Sequence, residues 1–88
     1  MTSVWVVAES RFEWYEIKHI CGNEMAARML WDKLRLELIA DNQKMIRWCE
    51  KEGTTSEPWS DNISLLHNMN PGDNPDCDYP DLKEWVLE

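Results

Sequence analysis

Residues 70–81 are the most evident candidate for chemistry in the chain, because they are rich in carboxylates. They read NPGDNPDCDYPD and contain no basic residue. Four of them are aspartates: Asp73, Asp76, Asp78 and Asp81. An EF-hand calcium loop needs oxygen ligands at its first, third and fifth positions, glycine at the sixth and glutamate at the twelfth. A loop that starts at Asp73 places Glu84 twelfth but Pro75 third, so the EF-hand pattern fails. We interpret the stretch as a solvated, proline-stiffened connection, with an irregular calcium site as the minor alternative.

A zinc site would have to use His19, Cys21 and Cys49. The first two lie on one predicted strand, and Cys49 lies on the predicted helix that should cover it. Structural zinc sites bring their ligands in close pairs such as CxxC and HxxxH, and neither pair occurs in the sequence. We therefore interpret these side chains as a half-buried histidine beside packed thiols, and we predict no metal and no cofactor.

Sequence signatures of catalysis are also missing. No GxSxG motif marks a nucleophile, and three glycines in the whole chain leave no phosphate-binding glycine loop. Glu13 and Glu16 are close enough in sequence for paired-carboxylate chemistry, but acids are common on exposed strands. We predict that the protein is not an enzyme.

The acidic charge is concentrated in the last third of the chain. The net charge is −8, and residues 57–88 contribute eight acids against one base, whereas residues 1–56 contribute nine acids and eight bases. An acidic surface repels nucleic acid and attracts basic protein surfaces. We predict that this end binds a basic groove on a partner protein and does not bind nucleic acid directly. The predicted partner-binding residues are its acids and aromatics: Trp59, Asp73, Asp76, Asp78, Tyr79, Asp81 and Glu84.

Three short segments have the composition and alternation of β-strands. Residues 4–8 (VWVVA) form a β-branched and aromatic run that suits a central strand or one next to an edge. Residues 13–21 alternate, and the pattern assigns to one face Tyr15, Ile17, His19 and Cys21. Residues 82–88 alternate again and form the third predicted strand.

One long amphipathic helix is predicted between the second and third strands. Residues 24–52 contain neither proline nor glycine, their apolar side chains recur at helical spacing, and Asn23 and Gly53 suit the two caps. Residues 54–81 are expected to be mostly irregular, apart from a candidate short helix at 60–69. The order predicts a single α+β domain over residues 1–88, in which a small antiparallel sheet of about three strands carries the helix on one face and an acidic irregular loop precedes the last strand.

The predicted helix is longer than a domain of this size is wide. Its 29 residues span about 43 Å, whereas a globule of 88 residues has a diameter of roughly 30 Å. Either the helix breaks near Asp41, or its apolar distal half packs on something else. The covering element is residues 54–69 folded back, or a second copy of the chain. The pattern slightly favours a dimer through Ile46 and Trp48.

Six tryptophans divide into two groups by their positions. Periodic positions assign three of them to the core: Trp5, Trp31 and Trp85. Turn, helix-flank and loop positions make the other three prone to lie at the surface: Trp14, Trp48 and Trp59. Tryptophan is enriched at interface hot spots, but partial burial explains these three equally well.

The hydropathy, the N-terminal residues and the cysteines indicate a cellular compartment. No window approaches eighteen uninterrupted apolar residues, and the first residues, MTSVWVVAES, lack the basic region of a secretion signal. Three cysteines without a CxxC pair are typical of reduced thiols, and the most accessible of them is expected to be Cys77. We predict a cytoplasmic protein without a membrane span.

The two ends of the chain and the start of the helix carry a resemblance. The segments VWVV, EWYEI, NEMAARMLWDKL and EWVLE resemble those of small proteins encoded by phages and other mobile elements. The resemblance implies an accessory protein that acts in the cytoplasm of a bacterial host, and it carries no catalytic residue to this chain. Small acidic phage proteins are similar to inhibitors of host defence, including anti-CRISPR and anti-restriction proteins, some of which imitate the charge of nucleic acid.

Two functional hypotheses follow. In the first, the protein is a non-enzymatic inhibitor that binds a host defence nuclease or nucleic-acid-binding complex through its acidic end. In the second, it is a self-associating structural or adaptor protein whose helix forms the dimer and whose acidic end only keeps it in solution.

Overall fold

The computed structural model describes residues 2–87 and arranges them as an α+β fold, as the hydrophobic pattern predicts. Its elements are β1 Thr2–Ser10, β2 Tyr15–Cys21, α1 Glu24–Glu52, α2 Glu57–Asn68 and β3 Tyr79–Leu87. The strands form an antiparallel sheet in the order β2-β1-β3, and the core lies between one face of this sheet and the helices.

β1 is the central strand of the sheet, which agrees with its β-branched sequence. Val6 and Val7 point to opposite faces and are both fully buried, and Val7 lies in the core beneath the helices. β3 begins at Tyr79, three residues before the predicted start, and therefore includes Pro80. Proline is tolerated there because β3 is an edge strand, and the Pro80 carbonyl accepts a hydrogen bond from the Trp31 indole at 2.8 Å.

β2 contains a bulge that changes the faces of its side chains. His19 pairs with Val7 but Ile17 pairs with Ala8, so Lys18 is an extra residue in β2. His19 therefore lies on the helix side of the sheet with Val7, whereas Ile17 lies on the opposite side. The prediction of one shared face for alternate β2 residues is wrong, because simple alternation cannot place the extra residue.

α1 is continuous over its 29 residues, with the predicted caps at both ends. The Asn23 side chain accepts a hydrogen bond from the first turn at 2.8 Å, and Gly53 adopts the left-handed conformation with φ of 74°. The helix does not break at its centre, where the side-chain amide of Asn42 donates to the Leu38 carbonyl at 2.8 Å and its oxygen accepts from the Asn62 side chain of α2 at 3.1 Å. The molecule is accordingly elongated, with a longest dimension of 55 Å.

α2 covers the central and distal parts of α1 within the same chain. It starts three residues before the predicted short helix, with Pro58 in its first turn, where a missing N–H costs least. Leu66 is fully buried in the core, and the Arg35 guanidinium donates to its carbonyl at 3.3 Å. The fold-back alternative thus describes the packing of this chain. Ile46 is half-buried and Trp48 is 53% exposed, and their role in a dimer stays a prediction.

The predicted core tryptophans separate into two that pack and one that does not. Trp31 is 4% exposed and Trp5 packs against the core, as predicted. Trp85 is 46% exposed, so its assignment to the core is wrong. It pairs with Val4 on the sheet face opposite the helices, where no second layer of described residues lies.

Candidate protein-binding surface

The acidic loop, residues 70–78, connects α2 to β3 and is irregular, as predicted. Its first turn is closed by Asp73, whose backbone N–H donates to the Asn70 carbonyl at 3.0 Å and whose carboxylate accepts from the Asn70 N–H at 2.8 Å. Gly72 has a φ of 95°, which other residues rarely adopt. The loop is thereby ordered by its own polar groups and presents its remaining carboxylates to solvent or to neighbouring elements.

Asp78 ties the acidic loop to the turn between β1 and β2. Its carboxylate lies 3.2 Å from the Arg11 guanidinium, which also donates to Glu9 at 2.7 Å. The hydrogen bond to Glu9 raises the pKa of Arg11, so the guanidinium keeps its charge. Arg11 also lies over the ring of Trp14, with 5.2 Å between the guanidinium carbon and the ring centroid. These contacts hold residues 11–14, the aromatic turn, beside the acidic loop.

Phe12 of the aromatic turn is the most exposed large apolar residue in the described chain, at 95%. It lines a shallow cleft of about 270 Å³ together with Asp76 and Asp78. Asp76 is exposed and has no cationic partner among residues 2–87. An apolar ring thus stands next to an unneutralised carboxylate. The sequence prediction missed Phe12, although a lone phenylalanine in a polar turn was a usable signal.

Trp59 and Asp78, both predicted to bind a partner, line one larger cleft of about 480 Å³. Trp59 is half-buried on α2, and the opposite wall is formed by α1 with Asp41 and Met45. Tyr79 is half-buried as well, and its hydroxyl donates to the Asn74 side chain at 2.9 Å. The structure therefore brings Trp59 and Asp78 together, while Tyr79 supports the acidic loop.

Asp81 and Glu84 lie apart from the acidic loop. Asp81 is only 3% exposed, accepts a hydrogen bond from the Tyr15 hydroxyl at 2.7 Å and lies 3.5 Å from the Lys83 ammonium. Glu84 is exposed but lies on β3, six residues after Asp78. Six residues of strand span about 20 Å, so the two acids are far apart. The acids predicted as one surface thus divide into a loop group, the buried Asp81 and the distant edge residue Glu84.

The three cysteines differ in burial, and none is in a disulfide. Cys49 is 2% exposed, whereas Cys21 and Cys77 are half-buried. Burial, with smaller contributions from Asp78 and Asp76, raises the pKa of Cys77 to about 11. Position in a polar loop is therefore not enough to make this thiol reactive.

We expect alkylation of Cys77 in the native protein to be slow at pH 8, because only about one thousandth of a thiol with this pKa is thiolate there. Its rate should rise about tenfold per pH unit towards pH 11. Mass spectrometry of iodoacetamide-treated protein measures this, with denatured protein as the control in which all three thiols react. Rapid modification of native Cys77 at pH 8 would show that the loop opens in solution.

Among residues 2–87, no three or more His, Cys, Asp or Glu side chains are grouped closely enough to hold a metal ion. Neither α1 nor α2 has the length and apolar content that a bilayer span needs. No protein-family model, no curated protein and no solved structure matches the chain.

Proposed function

We propose that the protein is a non-enzymatic binding protein that recognises a basic surface on another protein through the acidic loop and the aromatic turn. The observation that carries this proposal is the exposed Phe12 ring beside Asp76 in one cleft. Carboxylates that lack a cation of their own attract a basic partner, and an exposed ring supplies apolar contact area.

The carboxylates and the aromatic rings of this surface have different roles in binding. Asp73 and Asp76 steer a basic partner, since long-range attraction mainly raises the rate of association. Phe12 and Trp14 hold the bound partner, because apolar burial supplies most of the binding free energy. Asp78 contributes less, because Arg11 already neutralises part of its charge. A direct complex with nucleic acid is not part of the proposal, since the same carboxylates repel phosphates.

The resemblance to phage-encoded proteins adds the biological setting of the proposal. The partner belongs to a bacterial host, carries a basic groove and is inhibited when this chain occupies that groove. A defence nuclease or nucleic-acid-binding complex has such a groove, because it must hold phosphates.

A labelled peptide with arginines on both sides of a central leucine tests the surface directly by fluorescence anisotropy. Replacing Asp73 and Asp76 with asparagine should weaken binding about three- to tenfold, since two exposed ion pairs are lost. Asparagine at position 73 keeps an oxygen that accepts from the Asn70 N–H, so the turn persists. Phe12→Ala should weaken binding by about tenfold or more if the ring is an anchor.

The matched control is Glu50→Gln with Glu52→Gln at the far end of α1. Both residues are exposed, and the double change alters net charge by the same amount. The control should bind the peptide within about twofold of the native protein. Equal weakening by both double variants would mean that only total charge matters and would contradict a defined surface.

Self-association through α1 is the second candidate function. The observation in its favour is Trp48, which is 53% exposed on the distal part of α1. Ile46 is half-buried beside it in sequence. In this alternative the dimer is the working unit and the acidic loop only keeps it in solution.

A further inference from the structure

The sheet has one face that no helix covers, which we call the open face. Residues on it are those that pair with Thr2, Val4, Val6, Ala8 and Ser10, the alternate β1 residues on the side opposite the core-facing Val7. The exposed large apolar and aromatic side chains on it come from both edge strands: Tyr15, Ile17, Ile20, Trp85 and Leu87. The open face therefore carries exposed apolar side chains on both of its edge strands, β2 and β3.

The centre of the open face is shielded although no helix lies over it. Val6 and Ala8 are completely buried. Tyr15 reaches from β2 to Asp81 on β3, so its ring crosses Ala8 on the central strand. The Lys83 ammonium lies 5.5 Å from the centroid of that ring. These contacts hold the side chains at the centre of the face in defined positions.

The periphery of the open face exposes much apolar surface. Ile20 is 65% exposed, Leu87 48%, Trp85 46% and Ile17 43%. Apolar side chains that are exposed singly are common, but a contiguous group on one sheet face marks an interaction surface.

The charge of the open face differs from the charge of the rest of the molecule. Its charged residues within the described strands are Asp81 and Lys83, which form an ion pair at 3.5 Å. The face is thus neutral, whereas the whole chain carries −8. Two copies that meet through this face bring no net charge into contact. Two copies that met through their acidic loops would bring negative charges together.

We propose that the open face binds the open face of a second copy of this chain. A two-fold pairing needs a self-complementary surface, and a neutral apolar face meets that need. A highly basic partner would gain nothing from this surface, because it offers no unneutralised carboxylate. The inference is independent of the proposed function, and it predicts an assembly that carries two acidic loops.

The size of the face sets the expected strength of the dimer. Three strands of nine residues or fewer form a face about 30 Å by 14 Å, or roughly 400 Å² per copy. Two copies would bury about 800 Å² in total, which is below the size of stable specific interfaces and suits only a weak, transient one. We therefore expect a monomer at low micromolar concentration and a dimer at several hundred micromolar. Added salt should strengthen the dimer, because it screens the repulsion between two chains of −8 each.

Sedimentation equilibrium of the native protein and of Ile20→Lys tests the inference. The native mass should rise with concentration from 10.5 kDa towards twice that value. Ile20→Lys should weaken dimerisation at least about tenfold, because it buries a charge in the apolar interface. The change also reduces the net negative charge, so general repulsion cannot explain the loss. Leu87→Lys at the other edge strand should act in the same way.

Trp48→Lys is the matched control, since it makes the same charge change at an exposed apolar site on α1. It should leave the dimer intact, and thermal unfolding should show all three variants folded. A mass of 10.5 kDa at every concentration would overturn the inference. A dimer that Trp48→Lys dissociates and Ile20→Lys leaves intact would overturn it too, and would support association through α1.

Discussion

Replacing Leu66 with alanine is expected to lower the free energy of unfolding by about 2–5 kcal/mol. Leu66 is fully buried on α2, in the core that α2 shares with α1 and the sheet. Alanine would leave a cavity there, because the surrounding helices and strands cannot fully close around the missing atoms. The loss should be the same at all protein concentrations, since the packing is within one chain.

Urea unfolding of Leu66→Ala and of its neighbour Leu65→Ala measures the effect. Leu65 lies on the same helix but is 39% exposed, so its substitution should cost less than about 1 kcal/mol. Equal losses for the two variants would contradict the placement of α2 against α1. A loss that depends on protein concentration would indicate that α2 packs on another copy.

Replacing Asp81 with alanine is expected to cost about 1–3 kcal/mol. The carboxylate is buried, accepts from the Tyr15 hydroxyl at 2.7 Å and neutralises Lys83, so its removal leaves a donor without a partner. Asp76→Ala is the matched control, since Asp76 is exposed, and its effect should stay within about 0.5 kcal/mol. If Asp81→Ala kept full stability and lost partner binding, the sequence prediction of a binding role would hold instead.

Tyr15, at the same site, makes the stability of the fold depend on pH in the alkaline range. Burial, and then the hydrogen bond to Asp81, raises the pKa of Tyr15 above its ordinary value of 10.0. The folded state therefore holds this proton more tightly than the unfolded state. Its contribution to stability is complete below pH 10 and is lost as the pH rises through the higher folded pKa. Absorbance titration near 295 nm should include a late step from Tyr15, and Asp81→Ala should bring this step to lower pH.

Local signals in the sequence were sufficient for the helix and for the fold class. α1 begins and ends where predicted because Asn23 and Gly53 are strong caps and no proline or glycine interrupts the residues between them. β1 was recognisable because a β-branched run suits a strand with neighbours on both sides. In each case the determining interactions are within a few residues of one another along the chain.

Features that depend on distant residues could not be predicted in the same way. The extra residue Lys18 becomes visible only when β2 is paired with β1, and it moves Ile17 to the open face. The sequence groups Asp81 with the loop carboxylates, yet the residue that donates a hydrogen bond to it, Tyr15, is 66 residues away in sequence. Alternation predicts which residues share a face but not which face is covered, so it places Trp85 in the core although this residue lies on the open face.

We propose that the acidic loop, beside the aromatic turn, recognises a basic surface on a host protein. Affinity capture from a bacterial lysate, quantified by mass spectrometry, tests it most directly with three baits of equal concentration. These are the native protein, the Asp73→Asn/Asp76→Asn variant and the Glu50→Gln/Glu52→Gln control. We expect a basic host protein to be captured at low salt by the native protein and the control, and to be lost with the loop variant and at high salt. Equal capture by all three baits, or no specific capture by any of them, would contradict the claim.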